Sequence, residues 1–177
     1  MKKVRSKAYN YNFDYVTGFF ARWGCLFKDN PMFSPLGPEL LDVELTTICS
    51  GPDGTPCSFC YKGNTLSGKN MSLDLFKKIF HKVPTNLTQI AFGVDASCTS
   101  NPEVWDIFDY CRNNSYNKVV PNVTVSNISE QTAERLAKVC GAVAVSRYAN
   151  KNWCYDSVKW LSDKIGKKHK VYVRKIK

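Results

Sequence analysis

Residues 40–60 read Leu40-Leu41-Asp42-Val43-Glu44-Leu45-Thr46-Thr47-Ile48-Cys49-Ser50-Gly51-Pro52-Asp53-Gly54-Thr55-Pro56-Cys57-Ser58-Phe59-Cys60. The first six residues have the apolar character of a short strand. Beyond them, Gly51, Pro52, Gly54 and Pro56 break any period and suit a tight loop. That loop carries Cys49, Cys57 and Cys60. A strand that runs straight into a loop rich in chemistry-bearing residues is typical of α/β proteins, whose sites lie at the C-terminal ends of parallel strands.

Downstream the pattern becomes regular. Ser72 is a candidate N-cap for a helix to about Lys82, with Leu75, Phe76, Ile79, Phe80 and Val83 at helical spacing and Pro84 just beyond. Residues 89–92 read as a strand. Asn101-Pro102 opens a second helix, whose apolar side is Trp105, Phe108 and Cys111, flanked by Val104 and Ile107. Residues 122–125 form a strand, and Ser129 caps a third helix that turns Ala133, Leu136, Ala137 and Cys140 inward. Residues 142–145 form another strand. Cys154, Val158, Leu161 and Ile165 mark a fourth helix stopped by Gly166, and residues 171–173 a fifth strand. This is βα repeated, then one more strand. It predicts a parallel sheet with right-handed crossovers, either doubly wound or part of a barrel. The expected fold is a partial (β/α) barrel of about four βα units plus a fifth strand over residues 39–177. The last strand would be an open edge, blunted by Lys170, Arg174, Lys175 and Lys177 or paired with a partner or a second copy.

Upstream, residues 1–38 are rich in aromatics, from Tyr9 to Phe27. They predict an irregular extension packed on the core, with a short helix around Tyr15 to Trp23 and a turn at Pro35 to Pro38.

At 177 residues, 44% hydrophobic and 23% charged, the chain has material for one sizeable core. No apolar run is long enough to span a bilayer. Met1-Lys2-Lys3-Val4-Arg5 is followed by neither an apolar run nor a cleavage site, so a reducing cytoplasm is expected. The glycosylation-type matches at Asn86, Asn113, Asn122 and Asn127 are then without meaning. The net charge of +10 sits largely at the two ends and favours anionic partners, including nucleic acid. The basic C-terminal run has only Tyr172 among it, so a solvated basic surface is a better reading than a stacking groove.

Of the eight cysteines, Cys25, Cys98, Cys111, Cys140 and Cys154 are scattered and read as small hydrophobes. Cys49, Cys57 and Cys60 cluster, which in a cytosolic chain indicates metal. Three thiolates suit a [4Fe–4S] cluster with one iron left without a protein ligand. Zinc is the alternative, but a closed zinc site needs a fourth ligand, and His81 and His169 lie far along the chain.

Cys49-x7-Cys57-Ser58-Phe59-Cys60 after a first strand resembles the cluster loop of the radical S-adenosylmethionine (SAM) superfamily. The usual spacing there is C-x3-C-x-aromatic-C. Phe59 matches the aromatic position, while the first gap, Ser50 to Pro56, is longer. Phe92-Gly93-Val94-Asp95 stands where the family has a Gly-Gly-Glu motif for the SAM amino group. Ser126-Asn127 and Ser146-Arg147 occupy its positions for the SAM ribose and carboxylate. The resemblance covers about residues 40–176. It implies a [4Fe–4S] cluster and SAM as cofactors, Cys49, Cys57 and Cys60 as iron ligands, and reductive cleavage of SAM to a 5′-deoxyadenosyl radical. It implies contacts to SAM from Phe59, Gly93, Asp95, Ser126, Asn127, Ser146 and Arg147. From the residues alone, Asp95 also reads as a turn carboxylate, and Ser126, Asn127 and Ser146 as groups satisfying strand ends. Lys62 reads as a solvated lysine or a partner for anionic groups. The family core commonly has more βα units than this chain. A second function class is therefore a non-catalytic binding or inhibitory protein, of phage or mobile-element type, reusing a shortened fold against a nucleic-acid-processing partner.

Overall fold

The computed structural model describes residues 1–60, 62, 66–93, 97–114, 117–148, 152–165 and 170–175; Arg147, Ile165 and residues 170–175 are described by their backbone alone. The first thirty-odd residues depart from expectation. Instead of an irregular segment with a helix, β1 (Lys2–Arg5), β2 (Asn10–Phe13) and β3 (Phe20–Trp23) form an antiparallel meander. The reason is a period of two that the intervening asparagines disguise. Tyr9, Tyr11 and Phe13 alternate with Asn10 and Asn12, so one face is wholly buried and the other half-buried. The turn into β3 is set by Asp14, whose carboxylate accepts from Val16 N and Thr17 Oγ1, and by Gly18 at φ +67°.

The second sheet is parallel: β4 (Leu40–Val43), β5 (Gln89–Phe92), β6 (Val120–Val125), β7 (Ala142–Arg147) and β8 (Lys170–Lys175). Each pairs with the next in chain order. The order has no reversal, which a doubly wound sheet requires at its switch point. Among the described residues, β4 and β8 each pair on one side, so the sheet is open.

Helices α1 (Leu73–Phe80), α2 (Val104–Asn113), α3 (Glu130–Val139) and α4 (Asn152–Ile165) alternate with these strands. Right-handed crossovers in a sheet of this order place them on one face. Val43, Ile90, Phe92, Val123, Val125, Val143 and Val145 supply the strand side of that core, against Phe76, Phe80, Ile107, Phe108, Leu136 and Leu161 from the helices. Alternate strand residues put Asp42, Ala91, Asn122, Thr124, Ala142 and Ala144 on the other, less buried face.

Ser72 and Ser129 are N-caps as expected, their hydroxyls accepting from Leu75 N and Thr132 N. Two expectations are corrected. Leu75 is 48% exposed rather than facing inward, because the short α1 buries only the narrow stripe of Phe76 and Phe80. The second helix begins at Val104, since Asn101 and Pro102 form the turn before it. Among the described residues, no helix is long and apolar enough to cross a membrane.

The meander packs against the N-terminal ends of the parallel strands. Tyr9, Tyr11 and Phe13 form a cluster with Val120 at the start of β6, and the Tyr11 hydroxyl lies 2.7 Å from Thr88 Oγ1. Lys2 Nζ donates to the Thr85 carbonyl. One end of the sheet is thus covered by aromatics, and the other carries the cysteine loop.

Candidate metal centre

The loop is tied off at its neck. Past β4, Thr46 forms an antiparallel bridge with Asn70, Thr47 N donates to Lys69 O, and Met71 N donates to Leu45 O. Buried Asn101 clamps both sides: its Nδ2 donates to Leu45 O at 2.7 Å and to Met71 O at 2.9 Å. Its Oδ1 accepts from Glu103 N, and the Glu103 carboxylate accepts from Leu73 N. The sequence signalled Asn101 only as a helix-opening residue. Asn101→Ala leaves two carbonyls at the neck without this donor and is expected to cost about 2–3 kcal/mol in urea denaturation. Limited proteolysis should then cut within residues 50–60 faster than in the parent.

Within the loop, Gly51 has φ +77°, and a Cβ there would stand 1.9 Å from Thr55 O, so the chain folds back on itself only because this residue is glycine. Cys57 and Cys60 flank a tight turn closed by Cys60 N donating to Cys57 O at 3.1 Å. Cys49, Cys57 and Cys60 are half-buried and outside any disulfide. Among the described residues, no three His, Cys, Asp or Glu side chains converge to metal-holding spacing.

What the fold brings to the thiols is Tyr148, just past β7. The Cys57 thiol donates to its hydroxyl at 3.9 Å, and Ser126, just past β6, also bonds that hydroxyl. The Tyr148 hydroxyl is held above its ordinary pKa, first by burial and then by the thiols of Cys57 and Cys49. Its ring stands 6.2 Å from Phe59 and 5.7 Å from Trp153, in the first turn of α4. Together with the loop they line a cavity of about 310 Å³. Trp153 Nε1 is buried with no hydrogen-bond partner among the described residues. Tyr148 and Trp153 were missed in the sequence. The available signal was their position at a strand's C-terminal end and a helix start.

The other expected site residues divide. Gly93 follows β5 at φ +75°, in the left-handed region that favours glycine. Asp95 lies outside the described residues. Asn127 is exposed; Ser146 is buried, and its carbonyl receives the Cys154 thiol at 3.8 Å. Arg147 is described as the last backbone residue of β7, paired with Lys175. Lys62 forms an ion pair with Glu44 at 2.7 Å. His81 is exposed, its Nε2 2.9 Å from the Tyr110 hydroxyl. Cys98 is buried, and desolvation pushes its thiol up to about 12; Cys111 and Cys140 are shifted upward by the same cause. These three are buried core thiols, away from the cysteine loop in the sequence, whose burial disfavours the thiolate.

By residue type the loop offers what an iron–sulfur cluster takes, although the three side chains do not converge in this structure: three cysteines outside any disulfide, partly open, in a loop whose fold-back needs glycine, beside a buried indole N–H with no hydrogen-bond partner among the described residues. Comparison with family models, curated proteins and solved structures returns no match.

Proposed function

We propose that this chain is a radical SAM-type iron–sulfur protein built on a partial (β/α) barrel. One observation carries the reading. Three cysteines outside any disulfide sit in a neck-clamped loop after the first strand of a parallel sheet that is open among the described residues and whose order never reverses. Cys49, Cys57 and Cys60 would each hold an iron of a [4Fe–4S] cluster, leaving one iron open for the amino and carboxylate groups of SAM. The bound cluster supplies the electron that cleaves SAM reductively. The chain's own residues position and shield. Tyr148 holds Cys57 in place, Phe59 and Trp153 shield it from water, and the buried Trp153 Nε1 would be available as a donor to the bound group. Gly93, Ser126, Asn127 and Ser146 stand at or just past the ends of β5, β6 and β7, where SAM would lie, with the backbone of Arg147 closing β7; Asp95 is proposed with them from the sequence resemblance. Cysteines outside any disulfide suit a reducing cytoplasm.

A binding role without catalysis has the open edges of β4 and β8 and the +10 charge in its favour. The two readings separate in one assay. Protein reconstituted anaerobically with iron and sulfide is reduced in the presence of SAM, and 5′-deoxyadenosine is measured by chromatography. Release of 5′-deoxyadenosine is expected. A protein that loads a cluster yet releases none belongs to the binding class.

A further inference from the structure

We propose that the cavity between the meander and the open face of the parallel sheet binds a purine base through a guanine-type edge, independently of the cysteine loop. The cavity measures about 580 Å³, within the roughly 300–1,000 Å³ of small-molecule sites. It lies at the far end of the sheet from the cysteines, since its lining includes Leu40, Gln89 and Ala142, the first residues of β4, β5 and β7.

Glu39 is the feature that calls for a ligand. Its side chain is only 14% exposed. One carboxylate oxygen has a single long contact, 3.5 Å to Arg22 Nη1, and the other is buried with no hydrogen-bond partner among the described residues. A buried carboxylate left this poorly satisfied is a cost that folding does not recover, and such groups point to function. Its position is fixed nonetheless: the Glu39 carbonyl accepts from Thr88 N, Gln89 N and Thr88 Oγ1. The rest of the lining is equally held. Arg22 Nη2 donates to Asn30 Oδ1, which orients a guanidinium that has five N–H groups to offer. Asn122 Nδ2 donates to Gln89 Oε1 at 2.8 Å, leaving the Asn122 carbonyl as an acceptor beside Gly141. Phe20, 55% exposed on β3, supplies a ring on which a flat base can stack.

The donor and acceptor order selects the ligand. A carboxylate next to a guanidinium wants two adjacent N–H groups beside a carbonyl, all in the plane of a ring. Guanine offers the 2-amino group, N1–H and O6 in that order. Adenine lacks the N–H pair beside a carbonyl and would leave the carboxylate as poorly satisfied as it is now.

Titration calorimetry of the full chain with guanosine and with adenosine tests this. Saturable binding of guanosine is expected, at least about tenfold tighter than adenosine. Glu39→Gln should abolish that preference while melting at or above the parent temperature, because it removes an unsatisfied buried carboxylate. Phe20→Ala, at a half-exposed position that leaves folding intact, should weaken guanosine about tenfold. Cys57→Ala should bind guanosine as the parent does, so failure of the cysteine-loop reading leaves this site standing. No guanosine binding by the parent, equal affinity for both nucleosides, or binding unaffected by Glu39→Gln and Phe20→Ala would each overturn the assignment.

Discussion

Cys57→Ala is expected to lower the iron retained after anaerobic reconstitution from about four atoms per chain to background, with loss of the brown absorbance. The loop offers three thiols, and a cluster that already leaves one iron open cannot lose a second ligand and stay held. Cys57 is also the thiol that the Tyr148 hydroxyl contacts, so its removal takes away the oriented member of the set. Cys98→Ser is the control. That thiol is buried and pushed up to about 12, so it supplies no thiolate, and the variant should load iron like the parent if it folds. Iron content that survives Cys57→Ala would sink the cluster assignment. A colourless parent that carries zinc instead, lost on the same substitution, would move the site to the zinc alternative.

The second large effect concerns the meander. Phe13→Ala is expected to destabilise the chain by about 3–5 kcal/mol, a large share of the roughly 5–15 kcal/mol that holds a typical domain together. Phe13 is fully buried, its ring 5.1 Å from Tyr15, in the cluster that seals the N-terminal end of β6. The melting temperature should fall by on the order of 10 °C in one transition monitored by circular dichroism. Phe27→Ala, on the same extension but largely exposed, should change it little. If Phe13→Ala melts only the first residues and leaves the remainder at the parent temperature, the meander is a detachable appendage and not part of the core.

The parallel sheet was legible because its units repeat a simple signal: four to six strand residues, a loop and an apolar helical face, with a serine cap on the first and third helices. Ser72 and Ser129 needed no tertiary information, since a cap acts on its own helix. The meander was hidden by local composition, for Gly18 and the asparagines between Tyr9 and Phe13 look like breakers until the face they alternate with finds Val120. In the candidate site, the cysteines were visible as a motif. Tyr148, Trp153 and the Asn101 clamp were not, because each acts on partners distant in the chain, 30 residues or more for Asn101 and 91 for Tyr148, or on a group with no sequence signature.

The sequence alone determined the order and kind of the elements in the parallel series, with bounds off by a few residues, and that three thiols share one loop, both consequences of short-range periodicity and spacing. Only the tertiary structure decided that the strand order never reverses, that aromatics cover one end of the sheet, and that a carboxylate is buried beside an open cavity at that end. Those facts arise from pairings across the chain, where Glu39 meets Thr88 and Tyr11 meets the same threonine. No local pattern encodes such pairings, because burial is a property of the assembled core and not of a segment.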